Sequence, residues 1–197
     1  MERFAALLDA LVVTRSRNAK LALIARYLRE TRDPDRGWAL AALTDGLDFP
    51  AVKAGTIRAL MAERVDPVLW TLSRDYVGDT AETASLLWPA SDHDVMPAPG
   101  VSEAVEILRA TSRSTAPAAL AGLLDRLDAS GRYALLKLAT GAMRIGISAR
   151  LAKVAFAEAF GVPVDLVEEY WHGQEPPYRA LFAWAADGAP PPRTDDR

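Results

Sequence analysis

Apolar positions recur at helical spacing over most of the chain. Phe4, Leu7, Leu8, Leu11 and Val12 fall at i, i+3, i+4, i+7 and i+8, one stripe along a helix. The next segment, S-R-N-A-K-L-A-L-I-A-R-Y-L-R-E, opens on the capping side chains Ser16 and Asn18 and continues in strong helix formers, ending before T-R-D-P-D-R-G. Helices are predicted over residues 38–43, stopped near Asp45 and Gly46, and from about 52 to 63. Another covers 68–77, entered through Asp66–Pro67 and closed by Gly78. Asp79 and Glu82 have the spacing of a capping box ahead of a helix that runs to Trp88 and halts at Pro89. Residues 89–100 are polar and proline-bearing and read as a loop. Beyond it Ser102 caps a helix over 103–110, and further helices are predicted over 116–127, 130–139, 148–160 and 163–171.

No segment sustains the period-two alternation of a half-buried strand. The expected fold class is therefore all-α, with roughly ten or more short helices and short connections, and no fixed repeat is present. The loop at 89–100 could separate two helical halves. The expectation is nonetheless one domain over 1–185, followed by a proline-rich linker at 186–197.

Composition narrows the class. Hydrophobic residues make up 50% of the 197, enough for a substantial core and against disorder. No apolar run approaches the roughly 18–20 residues of a membrane helix. The start of the chain carries Glu2 and Asp9 and lacks the basic opening of a signal peptide. There is no cysteine, so neither a disulfide framework nor a thiolate metal site can form, and a cytoplasmic location is expected.

The net charge of −3 is not the basic balance usual for nucleic-acid binding, but placement matters more than the total. Arg15, Arg17 and Lys20 lie in one window without an acid. Lys137, Arg144, Arg150 and Lys153 lie in another, while Glu158, Asp165, Glu168, Glu169 and Glu175 gather later. Such segregation permits one basic face on an acidic protein.

The window 140–156, T-G-A-M-R-I-G-I-S-A-R-L-A-K-V-A-F, concentrates the candidate chemistry. Gly141 interrupts one helix, Gly146 follows, and Ser148 is a good cap for the next. A helix start offers unpaired N–H groups and a partial positive charge, both of which favour a phosphate. Arg144, Arg150 and Lys153 add full charges, and together they would position a phosphate without reading base sequence. A solvated helix–turn–helix corner accounts for the same residues. T-R-S-R-N-A-K repeats the logic with Arg15, Arg17, Asn18 and Lys20, where a capped, solvated helix start is the plainer account. In Y-V-G-D-T-A-E-T, Gly78 and Thr80 could meet a phosphate, yet Asp79 and Glu82 occupy the same helix end.

Other chemistry is thin. His93 and His172 lie far apart and have no metal-ligand spacing. Neither a G-x-x-x-x-G-K-[ST] loop nor a G-x-S-x-G elbow is present. Trp38, Trp70, Trp88, Trp171 and Trp184 are expected to anchor helix contacts rather than to form a base-stacking platform.

The stretch 138–153, L-A-T-G-A-M-R-I-G-I-S-A-R-L-A-K, resembles the signature of the N-terminal DNA-binding domain of ATP-dependent DNA ligases, the bacterial ones in particular. S-R-N-A-K-L-A-L-I-A-R-Y-L, A-E-R-V-D-P-V-L-W and D-Y-V-G-D-T-A-E-T-A-S-L-L-W-P resemble the same family. The blocks stand in order over residues 1–185. The resemblance implies an all-helical domain that lies along the minor groove at a nick, touches phosphates and sugars, and encircles the duplex together with a catalytic core. It implies that the loop Arg144, Ile145 and Gly146 contacts the DNA backbone, with Thr140, Gly141, Ser148, Arg150 and Lys153 around it. Arg15, Arg17, Asn18 and Lys20 come second, and Gly78 and Thr80 third. Met143 stands where relatives often have leucine, and Ala142 where glycine is common.

The adenylation motif K-x-D-G is missing, since Lys53 is followed by Ala54 and Gly55. The implied chain is therefore a DNA-binding piece of a ligase, inactive alone, with no catalytic residue, metal or cofactor of its own. The parent ligase would use ATP and magnesium, transfer AMP from its own lysine to a 5′-phosphate, and seal nicks in repair, replication or recombination. Implied partners are nicked double-stranded DNA and the catalytic domain of the same ligase. The piece would be a monomer without membrane contact, in the bacterial cytoplasm at the nucleoid. Two rivals remain open. One is a helical protein-interaction scaffold, suited by the acidic C-terminal third and the alanine-rich helices. The other is a helix-turn-helix regulator, for which A-R-L-A-K-V-A-F-A-E-A-F offers few side chains that could read base edges.

Overall fold

The computed structural model describes residues 1–90, 96–141, 143 and 145–192. Among the described residues regular structure is helical throughout, with twelve helices and no strand. Contacts divide the chain into two units: Met1–Ala6 with Leu47–Met143, and Leu7–Gly46 with Arg144–Arg197. Residues 89, 90 and 96–100, expected as a possible divider, lie inside the first unit. The boundary instead crosses α1 (Glu2–Val13) and recurs at 46/47 and 143/144. On α1, Phe4, Leu7, Leu8 and Leu11 are buried, whereas Val12 is 56% exposed. At 100° per residue Val12 lies about 80° from Phe4, at the rim of the stripe.

In chain order the second unit takes α2 (Arg17–Glu30) and α3 (Asp35–Leu43). The first takes α4 (Ala54–Arg64), α5 (Pro67–Val77), α6 (Thr80–Leu87), α7 (Val101–Ala110), α8 (Ala116–Asp125) and α9 (Ala129–Thr140). The second resumes with α10 (Ala149–Phe160), α11 (Val164–Trp171) and α12 (Arg179–Asp187).

In the first unit α9 lies along α6, α4 and α5 flank α6, and α8 packs on α4 and α7. Leu60, Met61, Leu108, Leu120, Leu123, Leu135 and Leu136 form its apolar interior. Polar side chains at its edge are matched rather than bare, as burial requires. The Trp88 indole donates to Asp125 Oδ1 at 2.8 Å, and the Arg64 guanidinium lies over the Trp88 ring at 5.0 Å. Arg132 donates to the carbonyls of Leu124 (2.9 Å) and Trp88 (3.4 Å). Arg126 donates to Glu103 at 2.6 Å and to the Pro97 carbonyl at 2.9 Å. The Met1 ammonium is buried against the Pro99 carbonyl at 2.7 Å. Helix α7 starts two residues ahead of its expected first residue, with Gly100 at the cap and Ser102 inside the first turn.

The second unit is built on α2 packed along α10, with α11 against α10. Phe156 on α10 meets Phe160 at 4.9 Å, Phe182 at 5.0 Å and Trp171 at 5.9 Å between ring centroids, in tilted and edge-on arrangements. Arg36 is buried within this cluster. It pairs with Asp33 through two bonds of 2.6 and 3.0 Å and places its guanidinium 4.5 Å above the Phe182 ring. Phe182 belongs to α12, which the periodicity does not predict. It follows H-G-Q-E-P-P-Y and is entered through Tyr178 at φ 57°. Helix α12 runs to Asp187, two residues into the stretch expected as linker.

Candidate nucleic-acid interface

Two groups of candidate residues assemble, one in each unit. In the second unit, α2 starts at Ser16, whose backbone is extended and whose hydroxyl accepts the Ala19 amide at 3.3 Å. Helix α10 starts in the same manner at Ser148, which accepts the Leu151 amide at 3.1 Å. The caps use one acceptor each and leave the other first-turn amides without intrahelical partners, as at any helix start.

Because α2 and α10 pack along each other, the windows 15–20 and 145–153 come together. The direct link is a hydrogen bond of 2.7 Å from Lys20 Nζ to the Ile145 carbonyl. Gly146, next in the chain, sits at φ 68°, and a Cβ built there would stand 3.2 Å from that same Nζ. Arg15, Arg17, Asn18, Gly146, Ser148 and Arg150 are exposed, and Lys20, Ile145 and Lys153 are half-buried. Among the described residues no carboxylate pairs with Arg15, Arg17, Arg150 or Lys153. Arg144, expected in this group, lies outside the described residues, as do Ala142, His93 and residues 193–197.

In the first unit, Gly78, Thr80 and Thr140 line a cleft of about 310 Å³, together with Val52, Lys53, Ile57, Asp79 and Lys137. It brings the starts of α4 and α6 to the end of α9. Gly141 closes α9 at φ 67°, and the Thr140 hydroxyl turns back to the Leu136 carbonyl at 2.7 Å.

Charge in this cleft is balanced internally. Asp79 caps α6 by accepting the Glu82 amide at 2.8 Å, and its other oxygen accepts from Lys137. Thr80 accepts from Arg74 Nε at 3.1 Å, and Lys53 stands 3.9 Å from Asp48. Partial burial pushes the Asp79 carboxyl up, but the Lys137 ammonium and the Glu82 and Ala81 amides outweigh it and hold it below the usual carboxylate range. The acid-free run counted from Lys137 in sequence thus has its acid in space, 58 residues away. Lys137 was legible as a cleft residue: it stands one turn before Thr140 on α9 and points the same way.

No K-x-D-G lysine is present in the sequence, and among the described residues no three His, Asp or Glu side chains gather to hold a cation. No helix of the described residues is long and apolar enough to cross a membrane. No protein-family model matches the chain, and no curated protein matches it significantly.

Proposed function

We propose that this chain is the DNA-gripping part of an ATP-dependent DNA ligase, holding nicked duplex by its sugar–phosphate backbone and minor groove. A nucleotidyltransferase part bearing the K-x-D-G lysine would supply the adenylation and sealing chemistry with ATP and magnesium. One observation carries the reading. Two windows that the sequence sets more than a hundred residues apart meet through α2 and α10, and four of their cations, Arg15, Arg17, Arg150 and Lys153, have no acidic partner among the described residues. Two serine-capped helix starts lie in the same group. Backbone amides and unneutralised arginines suit phosphate and are indifferent to base sequence.

The test is fluorescence anisotropy with a labelled nicked duplex across a salt series. Each neutralised phosphate contributes about −0.9 to the slope of log K against log salt. Replacing Arg15, Arg17, Arg150 and Lys153 together by Gln should flatten the slope by about 3.6, one phosphate for each, and lower affinity roughly a hundredfold or more at low salt. An unchanged slope would remove this surface from the reading. Strong preference for one duplex sequence would favour a helix-turn-helix regulator instead.

A second reading has an observation of its own. Helix α5 exposes Val68, Leu69, Leu72 and Tyr76 while burying only Trp70. An apolar helix face suits protein contact. Failure to retain any duplex at low salt would leave the protein-interaction scaffold standing.

A further inference from the structure

Lys20 reads from sequence as one more cation for the phosphate backbone, and the geometry points to a different task. We infer that Lys20 is a positioning residue that shapes the loop 145–148 and does not itself neutralise a phosphate. This rests on the DNA-binding reading above and assigns Lys20 a separate role within it. Its ammonium donates at 2.7 Å to the Ile145 carbonyl, a partly buried bond between residues 125 apart in the chain. The next residue, Gly146, holds φ at 68° and leaves space that a Cβ would take from the ammonium. Gly146 and Lys20 therefore fit one another. The glycine turns the chain so that the Ile145 carbonyl meets the lysine, and the lysine fixes that turn immediately ahead of the Ser148 cap.

A second consequence concerns charge. A carbonyl oxygen facing a phosphate is repulsive, and a charged donor on that oxygen both satisfies it and offsets its partial negative charge. The half-buried ammonium keeps its charge but has one of its three donors held by Ile145, whereas Arg15, Arg17 and Arg150 are exposed.

The experiment compares wild type, Lys20→Met, Lys20→Arg and Arg150→Met. Methionine keeps the apolar stem of lysine and removes only the donor, so folding is preserved. Two readouts are taken: order parameters of the amides at 145–148 from nitrogen-15 relaxation, and anisotropy with nicked duplex from low to moderate salt. Lys20→Met should lower the order parameters at 145–148 and weaken binding roughly fivefold with the salt slope unchanged, whereas Arg150→Met should flatten the slope by about 0.9. Lys20→Arg, which restores a charged donor, should recover both order and affinity. A slope change in Lys20→Met equal to that of Arg150→Met would make Lys20 a direct phosphate contact and overturn the inference. So would unchanged order parameters at 145–148. If wild type itself binds no duplex while Lys20→Met still loosens 145–148, the DNA reading fails and the brace is structural only.

Discussion

Several cations of the first unit are committed to partners, whereas four at the candidate site of the second lack an acidic one among the described residues. In the first, Lys137 is bound to Asp79 and Arg126 to Glu103, Arg64 lies on Trp88, and Arg132 is spent on two backbone carbonyls. These side chains hold helices together. In the second, Arg36 plays that part deep in the aromatic cluster and Lys20 at the Ile145 carbonyl, while Arg15, Arg17, Arg150 and Lys153 lack acidic partners among the described residues. A count of lysines and arginines along the chain treats both sets alike. What distinguishes a binding charge from a structural one is whether its energy is already committed to a partner, and only the fold decides that.

The most severe way to break the contrast is to disrupt the second unit from inside, away from its surface charges. Gly37 on α3 is buried, and a Cβ there would overlap the carbonyl oxygen of Pro177. Backbone cannot yield as a flexible side chain does, so Gly37→Ala should cost about 3 kcal/mol or more in chemical denaturation. Duplex binding should fall with it although no charge has changed. A Gly37→Ala protein of wild-type stability would show that α3 and residues 176–178 do not pack as described.

A smaller effect is expected at Gly146, where the backbone itself is the issue. Alanine at φ 68° is strained by about 1–2 kcal/mol, and its Cβ would press on the Lys20 ammonium. Gly146→Ala should lower stability by about 1 kcal/mol and weaken duplex binding, with the number of counterions released unaltered. A steeper or flatter salt dependence would mean that the loop has been rebuilt and not merely loosened.

In the first unit the corresponding probe is Asp79. Its carboxyl is held below the ordinary range, so it favours the folded state above the unfolded pKa of about 3.9, and that contribution disappears as pH falls through the depressed folded value. Asparagine caps a helix as well as aspartate does, so Asp79→Asn isolates the pairing with Lys137, while Asp79→Ala removes the cap as well, at about 1 kcal/mol. Wild type should exceed Asp79→Asn in stability at neutral pH, and thermal melts of the two should converge below about pH 4. Melts that stay parallel through that range would show that the ion pair does not contribute.

Much of the helical framework was legible because its signals are local. Ser16, Asp66, Asp79 and Ser148 have the side chains of helix starts, and each accepts a first-turn amide. Gly78 and Gly141 have the freedom a helix stop needs, and they close their helices with left-handed backbone. Helix α12 was not legible: its first residue follows two prolines and a tyrosine at positive φ, and its few turns are anchored by Leu181 and Phe182 in a core assembled from distant segments. The start of α3 was missed for a related reason. Arg36 through Leu43 are buried on every side, so no amphipathic stripe exists to announce the helix.

The candidate site divides along the same line. The caps and cations are local properties and could be named one by one. That Lys20 is engaged by Ile145, or Lys137 by Asp79, depends on pairs brought together from 125 and 58 residues away. No local pattern encodes such pairs.

The finest probe separates stability from binding at the two ends of one helix. Helix α2 carries Arg17 and Lys20 in its first turns and is followed by Thr31, about 20 Å further along at 1.5 Å per residue. Thr31 is buried, and its hydroxyl has no hydrogen-bond partner among the described residues. A buried hydroxyl without a partner costs more than a methyl of the same shape, so Thr31→Val should leave stability unchanged or raise it by up to about 1 kcal/mol. Affinity for duplex and its salt dependence should not move, because the cationic end of the helix is untouched. A loss of stability in Thr31→Val would mean that the hydroxyl has a partner, bound water being the simplest. A change in salt slope would mean that the charge at the start of α2 is coupled to packing at its end, and the line drawn between structural and binding residues in this unit would have to move.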